Sequence, residues 1–108
     1  MIQMAVQNNT TRDLYLIQSD VTGAFKIGIT SRIKKRIKEL QTGSPHTLKL
    51  ILLLKKQSHR EKTIHRALRS VMTRHNGEWF SYEGLSYLPD DIYEQLDIDL
   101  VDNWWRKE

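Results

Sequence analysis

The sequence predicts a small α+β domain in the order strand, strand, helix, strand, helix, with a short helical extension after it. Three observations carry this. Two β-rich runs, Arg12–Ser19 and Ala24–Ile29, flank a short turn signal, Asp20-Val21-Thr22-Gly23. Two later segments repeat apolar residues at helical spacing. An apolar run, Leu48 to Lys55, lies between those helices and reads as a third strand.

Taken in order, residues 1–11 read as a flexible lead-in. Gly23 is placed for the positive φ that closes a hairpin. Thr30 or Ser31 can cap the first helix, which runs to about Gln41 and is stopped by Gly43. Ser58 caps a second helix that ends near Arg74, with His75-Asn76-Gly77 as its stop. Glu78–Tyr82 reads as a short extended piece, and Pro89 with Asp90-Asp91 opens a final short helix. The organisation expected is a lead-in (1–11), a folded domain (12–82) and an acidic C-terminal extension (83–108) packed on or attached to it.

Composition narrows the function classes. The chain has 108 residues and no cysteine, which excludes a disulfide framework and a cysteine zinc site. No apolar run reaches membrane-spanning length, and the N-terminus is polar rather than signal-like, so a cytoplasmic protein with no membrane partner is expected. Residues 1–74 hold 15 Lys/Arg against four Asp/Glu, whereas residues 75–108 hold two against nine. The basic part points to a polyanion, nucleic acid first, with a solvated basic surface as the alternative.

Side-chain alternation divides the hairpin. A four-residue loop sets Leu16 opposite Ile27 and Leu14 opposite Ile29. Leu14, Leu16, Phe25, Ile27 and Ile29 then share a core face, and Tyr15, Ile17, Lys26, Gly28 and Thr30 share the other. Tyr15 and Lys26 are diagonal neighbours, and Gly28 sits across from Tyr15. An ordinary strand tyrosine and an exposed lysine are the plainer alternative.

In the first helix Ile33, Ile37 and Leu40 form the apolar stripe. Arg36 falls about 40° from Leu40 and leans toward the sheet, while Lys34, Lys35 and Lys38 face outward. Arg36 is placed to grip a phosphate oxygen, or to cover the core edge with its aliphatic stem. In the second helix the stripe is Ile64, Leu68, Val71 and Met72, and Glu61 leans into it. A carboxylate there suits one hard divalent cation, Mg²⁺ or Mn²⁺. It also completes a capping box, Ser58-His59-Arg60-Glu61, through the Ser58 amide. For His65 a helix-surface or phosphate-contacting role fits better than metal ligation.

Tyr15-x-Ile17, Lys26-Ile27-Gly28, Arg36 and Glu61-x-x-Ile64-His65, with Gly77-Glu78-Trp79-Phe80, resemble the GIY-YIG nuclease superfamily, and within it the T5orf172-like branch with a Lys-Ile-Gly second motif. The resemblance implies a three-stranded antiparallel sheet flanked by helices and metal-dependent hydrolysis of DNA phosphodiesters. It implies Tyr15 as the base that activates water, Arg36 as the phosphate-steadying arginine, Glu61 as the metal-holding carboxylate and Gly28 as the glycine that leaves room. Lys26 stands where many members have tyrosine and, beside Tyr15, favours its phenolate. Asp13-Leu14 stand where many have Gly-Ile. Thr30, His65 and Asn76 are supporting candidates, and Arg32, Lys34, Lys35 and Lys38 are candidates for nucleic-acid binding. The alternative is a non-cleaving nucleic-acid-binding or partner-regulated module on the same scaffold, with Trp104 and Trp105 as the surface for a homodimer or protein partner.

Overall fold

The hairpin sets the register of the whole sheet. β1 (Asp13–Ser19) pairs antiparallel with β2 (Phe25–Thr30), with Leu14 opposite Ile29, Tyr15 opposite Gly28 and Leu16 opposite Ile27, as the loop length requires. Gly23 takes φ 78°, where a side chain would be strained. Ser19 Oγ accepts the amides of Val21 and Thr22 at 3.2 Å each and closes the turn. The computed structural model describes residues 12–71, the backbone of 75–76, and residues 79–96. The expected lead-in lies outside the described residues.

β3 (Leu48–Leu54) pairs with the other side of β1. Two further strands of two residues each, β4 (His75–Asn76) and β5 (Trp79–Phe80), extend the sheet beyond β2, giving the order β3-β1-β2-β5-β4. The sheet is therefore antiparallel as expected but wider than three strands. His75-Asn76 does not simply stop a helix. It pairs with Trp79-Phe80, which in turn pairs with Lys26 and Phe25. Alternation explains why those two aromatics can cap an edge, since Phe80 enters one core and Trp79 packs on the other.

Both faces are covered. The larger core joins Leu14, Leu16, Phe25 and Ile27 to Ile64 and Leu68 of α2 (Glu61–Val71). It also takes in Leu85, Leu88, Ile92 and Leu96 from the C-terminal stretch. That stretch forms a 3₁₀ helix, Tyr82–Tyr87, and the short α3 (Asp90–Tyr93), which follows Pro89. The smaller core sets Tyr15, Ile17 and Leu48 against Ile33, Ile37 and Leu40 of α1 (Ile33–Thr42). A β-bulge explains the long leucine run. The register slips between Leu16–Leu52 and Ile17–Leu50, so Ile51 and Leu52 both enter the larger core while Leu50 is left exposed.

Two helix starts and one residue of an apolar stripe differ from expectation. α1 carries no side-chain cap, because Thr30 Oγ1 instead accepts the Arg32 amide at 3.0 Å. α2 is entered through a 3₁₀ turn, Ser58–Arg60, whose own N-cap, Gln57, makes no side-chain cap bond. Val71, expected in the stripe of α2, is 45% exposed, and Met72 and Arg74 lie outside the described residues. Asp13, at the position where many GIY-YIG members carry glycine, has a structural task. Its Oδ1 accepts the amide of Lys56 at 2.9 Å, holding that residue at φ 59° between β3 and α2. Among the described residues no helix is long and apolar enough to cross a membrane.

Candidate active site

Tyr15 is 1% exposed and lies in the smaller core, beneath α1. Its ring crosses Gly28. A Cβ placed on Gly28 would stand 2.8 Å from Tyr15 Cε2 and closer still to Cζ and Oη. Glycine is thus demanded here by space rather than by backbone conformation. Arg36 comes down from α1, and its Nε donates to Tyr15 Oη at 3.3 Å. A guanidinium only donates, so the phenol's own hydrogen is free to point elsewhere. The Tyr15 hydroxyl first, and Glu39 at 3.3 Å after it, hold the Arg36 guanidinium above its ordinary pKa against the effect of burial. Arg36 keeps 38% of its side chain exposed and is the solvent-facing member of the group.

Lys26 is 5% exposed, which rules out the ordinary surface lysine. It lies between Ile17 of β1 and Trp79 of β5, diagonal to Tyr15 on the same face. α1 leaves Arg32, Lys34, Lys35 and Lys38 exposed, while Thr30 is half-buried at the end of β2.

A second group meets β2 from its edge. Ser19 N–H donates to Ala24 O, so the hydrogen-bonded pairs of the hairpin include Ile17–Lys26 and Tyr15–Gly28. Ile27 falls between them and turns its N–H and C=O away from β1. β5 pairs only as far as Lys26, so it stops short of that carbonyl. His65 Nε2 donates to Ile27 O at 2.9 Å and completes the ladder. The carbonyl can only accept, so Nε2 carries the hydrogen and is not a metal-binding lone pair. His65 is 8% exposed, its ring edge against Phe80 at 5.6 Å between centroids. It is therefore buried against β2 rather than on the helix surface.

Glu61 stands one turn before His65 at the start of α2, with Oε2 3.7 Å from His65 Nε2. That is too long for a hydrogen bond. The capping box does not form, since the Ser58 amide donates to Arg12 O at 3.1 Å. Glu61 is 27% exposed and accepts no hydrogen bond among the described residues. A partly desolvated carboxylate without a donor is costly unless a cation joins it. Such an oxygen suits Mg²⁺, which commonly takes one or two carboxylates and fills its shell with water and phosphate oxygens. No group of three or more His, Cys, Asp or Glu that could hold a metal occurs among the described residues, so the fit is to a shared protein–substrate site.

The structure thus joins Tyr15, Gly28 and Arg36 by contact, joins Glu61 to His65, and brings the two groups to adjacent residues, Gly28 and Ile27. Asn76 contributes backbone to β4, but its side chain, like Trp104 and Trp105, lies outside the described residues. Sequence reasoning missed Glu39, although its i,i+3 spacing from Arg36 was legible. It also missed a groove of about 380 Å³ lined by Glu61, Lys62, His65, Arg66 and Arg69.

An antiparallel sheet between two helices, with a tyrosine laid over a strand glycine and an arginine on its oxygen, defines a GIY-YIG-type domain. The T5orf172 domain model matches residues 13–106, and the chain belongs to that family. No curated protein and no solved structure matches the chain. Membership fits a nuclease-like or DNA-binding module.

Proposed function

We propose that the protein is a metal-dependent DNA endonuclease in which Tyr15 activates the attacking water. The observation that carries this is that two incomplete halves are anchored on consecutive residues of β2, one across Gly28 and one at the Ile27 carbonyl. Glu61 has charge without a donor, and Tyr15 has a hydroxyl oriented by Arg36. Each half lacks what the other and a bound phosphodiester provide.

Water attacks phosphorus and the bond to the 3′ oxygen breaks; Tyr15, acting as the phenolate that the neighbouring Lys26 favours, takes the proton of the water at Oη, and the leaving 3′ oxygen takes a proton from solvent. Arg36, always charged, supports the oxygen of Tyr15 through Nε and offers its exposed Nη atoms to the phosphate. Lys26 adds positive charge on the same face of β2. His65 fixes Glu61 relative to β2 by its bond to the Ile27 carbonyl. Mg²⁺ or Mn²⁺, held by Glu61, would supply Lewis-acid stabilisation of the phosphate and of the leaving oxygen.

The burial of Tyr15 favours a second reading, a module that binds nucleic acid without cutting it. Supercoiled plasmid incubated with the protein and Mg²⁺ or Mn²⁺ separates the two. The nuclease reading expects nicked circles that EDTA prevents. A gel shift with intact DNA in every metal condition leaves only the binder.

A further inference from the structure

We infer that the groove along α2 is the track for the DNA strand next to the scissile phosphate, with Lys62, Arg66 and Arg69 gripping successive phosphates. The partner rests on the nucleic-acid reading above, and the track itself rests on the geometry. The groove holds about 380 Å³, and three of the five described residues that line it are cations. All three are exposed, and none makes an ion pair or hydrogen bond among the described residues. The half-buried arginines are engaged instead, Arg36 by Glu39 and Arg60 by Asp91.

Spacing adds direction. Positions 62, 66 and 69 recur at i, i+4 and i+7, one stripe of a helix. From Lys62 to Arg69 the helix rises about 10.5 Å. At about 3.4 Å of axial rise per phosphate, that spans about three phosphates of one strand. Glu61 and His65 line the same groove, so the row begins at the carboxylate proposed to share a metal with the substrate. An acidic peptide would meet that carboxylate as a repulsion, whereas a phosphate with its divalent ion meets it as a ligand. The outward lysines of α1 leave from the opposite face of the sheet and add only longer-range attraction.

The test is binding of a short labelled DNA duplex in EDTA, across a salt series, so that cleavage plays no part. Neutralising Lys62→Gln, Arg66→Gln and Arg69→Gln together is expected to lower the slope of log affinity against log salt by about two to three, at about 0.9 for each phosphate no longer neutralised. The charge-matched Lys34→Gln, Lys35→Gln, Lys38→Gln variant is expected to lower it by less than about one. Arg66→Gln alone, expected to lower the slope by about one, serves if circular dichroism shows the triple variant unfolded. Equal slopes for the two triple variants, or a larger loss from α1, overturn the track while leaving the nuclease reading standing. Poly-glutamate binding as tightly as the duplex overturns the choice of partner. Wild-type protein that binds no DNA overturns both this inference and the nuclease reading.

Discussion

The two faces of the sheet divide stability from chemistry. On one face, fourteen buried residues from β1, β2, β3, α2, β5 and the C-terminal stretch form an apolar core. On the other, three buried residues pack on a helix whose own stripe is only partly covered, and one of the three is Tyr15. The apolar side chains of the large core can neither transfer a proton nor hold an anion, and the polar groups on that side, Glu61 and His65, reach β2 from the rim of the core on α2. The small face is thin enough for Arg36 to reach from solvent to the Tyr15 oxygen. β2 is common to both. Its odd residues Phe25 and Ile27 anchor the large core, while Lys26 and Gly28 shape the small one.

The largest expected effect lies on the large face. Phe80→Ala removes a fully buried ring packed at 5.7 Å on Phe25 and is expected to cost about 3–5 kcal/mol in urea unfolding. The protein that remains folded should keep its activity per folded molecule. Next comes Gly28→Ala, which drives a methyl into the Tyr15 ring. It is expected to cost about 1–3 kcal/mol as overpacking and, unlike Phe80→Ala, to abolish nicking in the folded fraction. If Gly28→Ala cuts normally, the division between the faces is wrong.

The fold was legible where local chemistry set it. The Asp20–Gly23 loop fixed the register of the hairpin, and alternation from that register assigned both faces correctly. The inward turn of both Ile51 and Leu52 was not legible, because a bulge is a tertiary event that leaves no mark in an unbroken apolar run. The β4–β5 hairpin was hidden because two-residue strands have no period to read. In the site, the lean of Arg36 toward the sheet followed from the helical wheel, and its bond to Tyr15 agrees. The burial of His65 did not follow, because its partner is a backbone carbonyl left open where β5 ends. The capping alternative at Glu61 fell to the Ser58 amide, which a residue outside the helix claims.

Tyr15→Phe sharpens the contrast from the small side. Losing one neutral hydroxyl bonded to a charged donor is expected to cost about 1.5–3 kcal/mol or less in stability, while cleavage falls by about a hundredfold or more. The smallest effect belongs to the C-terminal clamp. Arg60 Nη1 and Nη2 bind Asp91 Oδ2 and Oδ1 at 2.8 and 2.9 Å, and this bidentate bond holds the Asp91 carboxyl below its ordinary value. A lowered folded-state pKa stabilises above the ordinary value of 3.8 and is lost as pH falls below it. Asp91→Asn should therefore flatten the pH dependence of unfolding below about pH 4 and leave stability near neutrality only slightly reduced.

The central claim is that Tyr15 and Glu61, reaching β2 by different routes, serve one reaction. Single-turnover nicking of plasmid DNA by wild-type protein, Tyr15→Phe, Glu61→Ala and the double variant tests it most directly. Residues that act as a unit lose their effect once, so the double variant is expected to be no slower than the slower single variant. Wild-type-like cleavage in both single variants, or losses that multiply in the double, would contradict a single shared site.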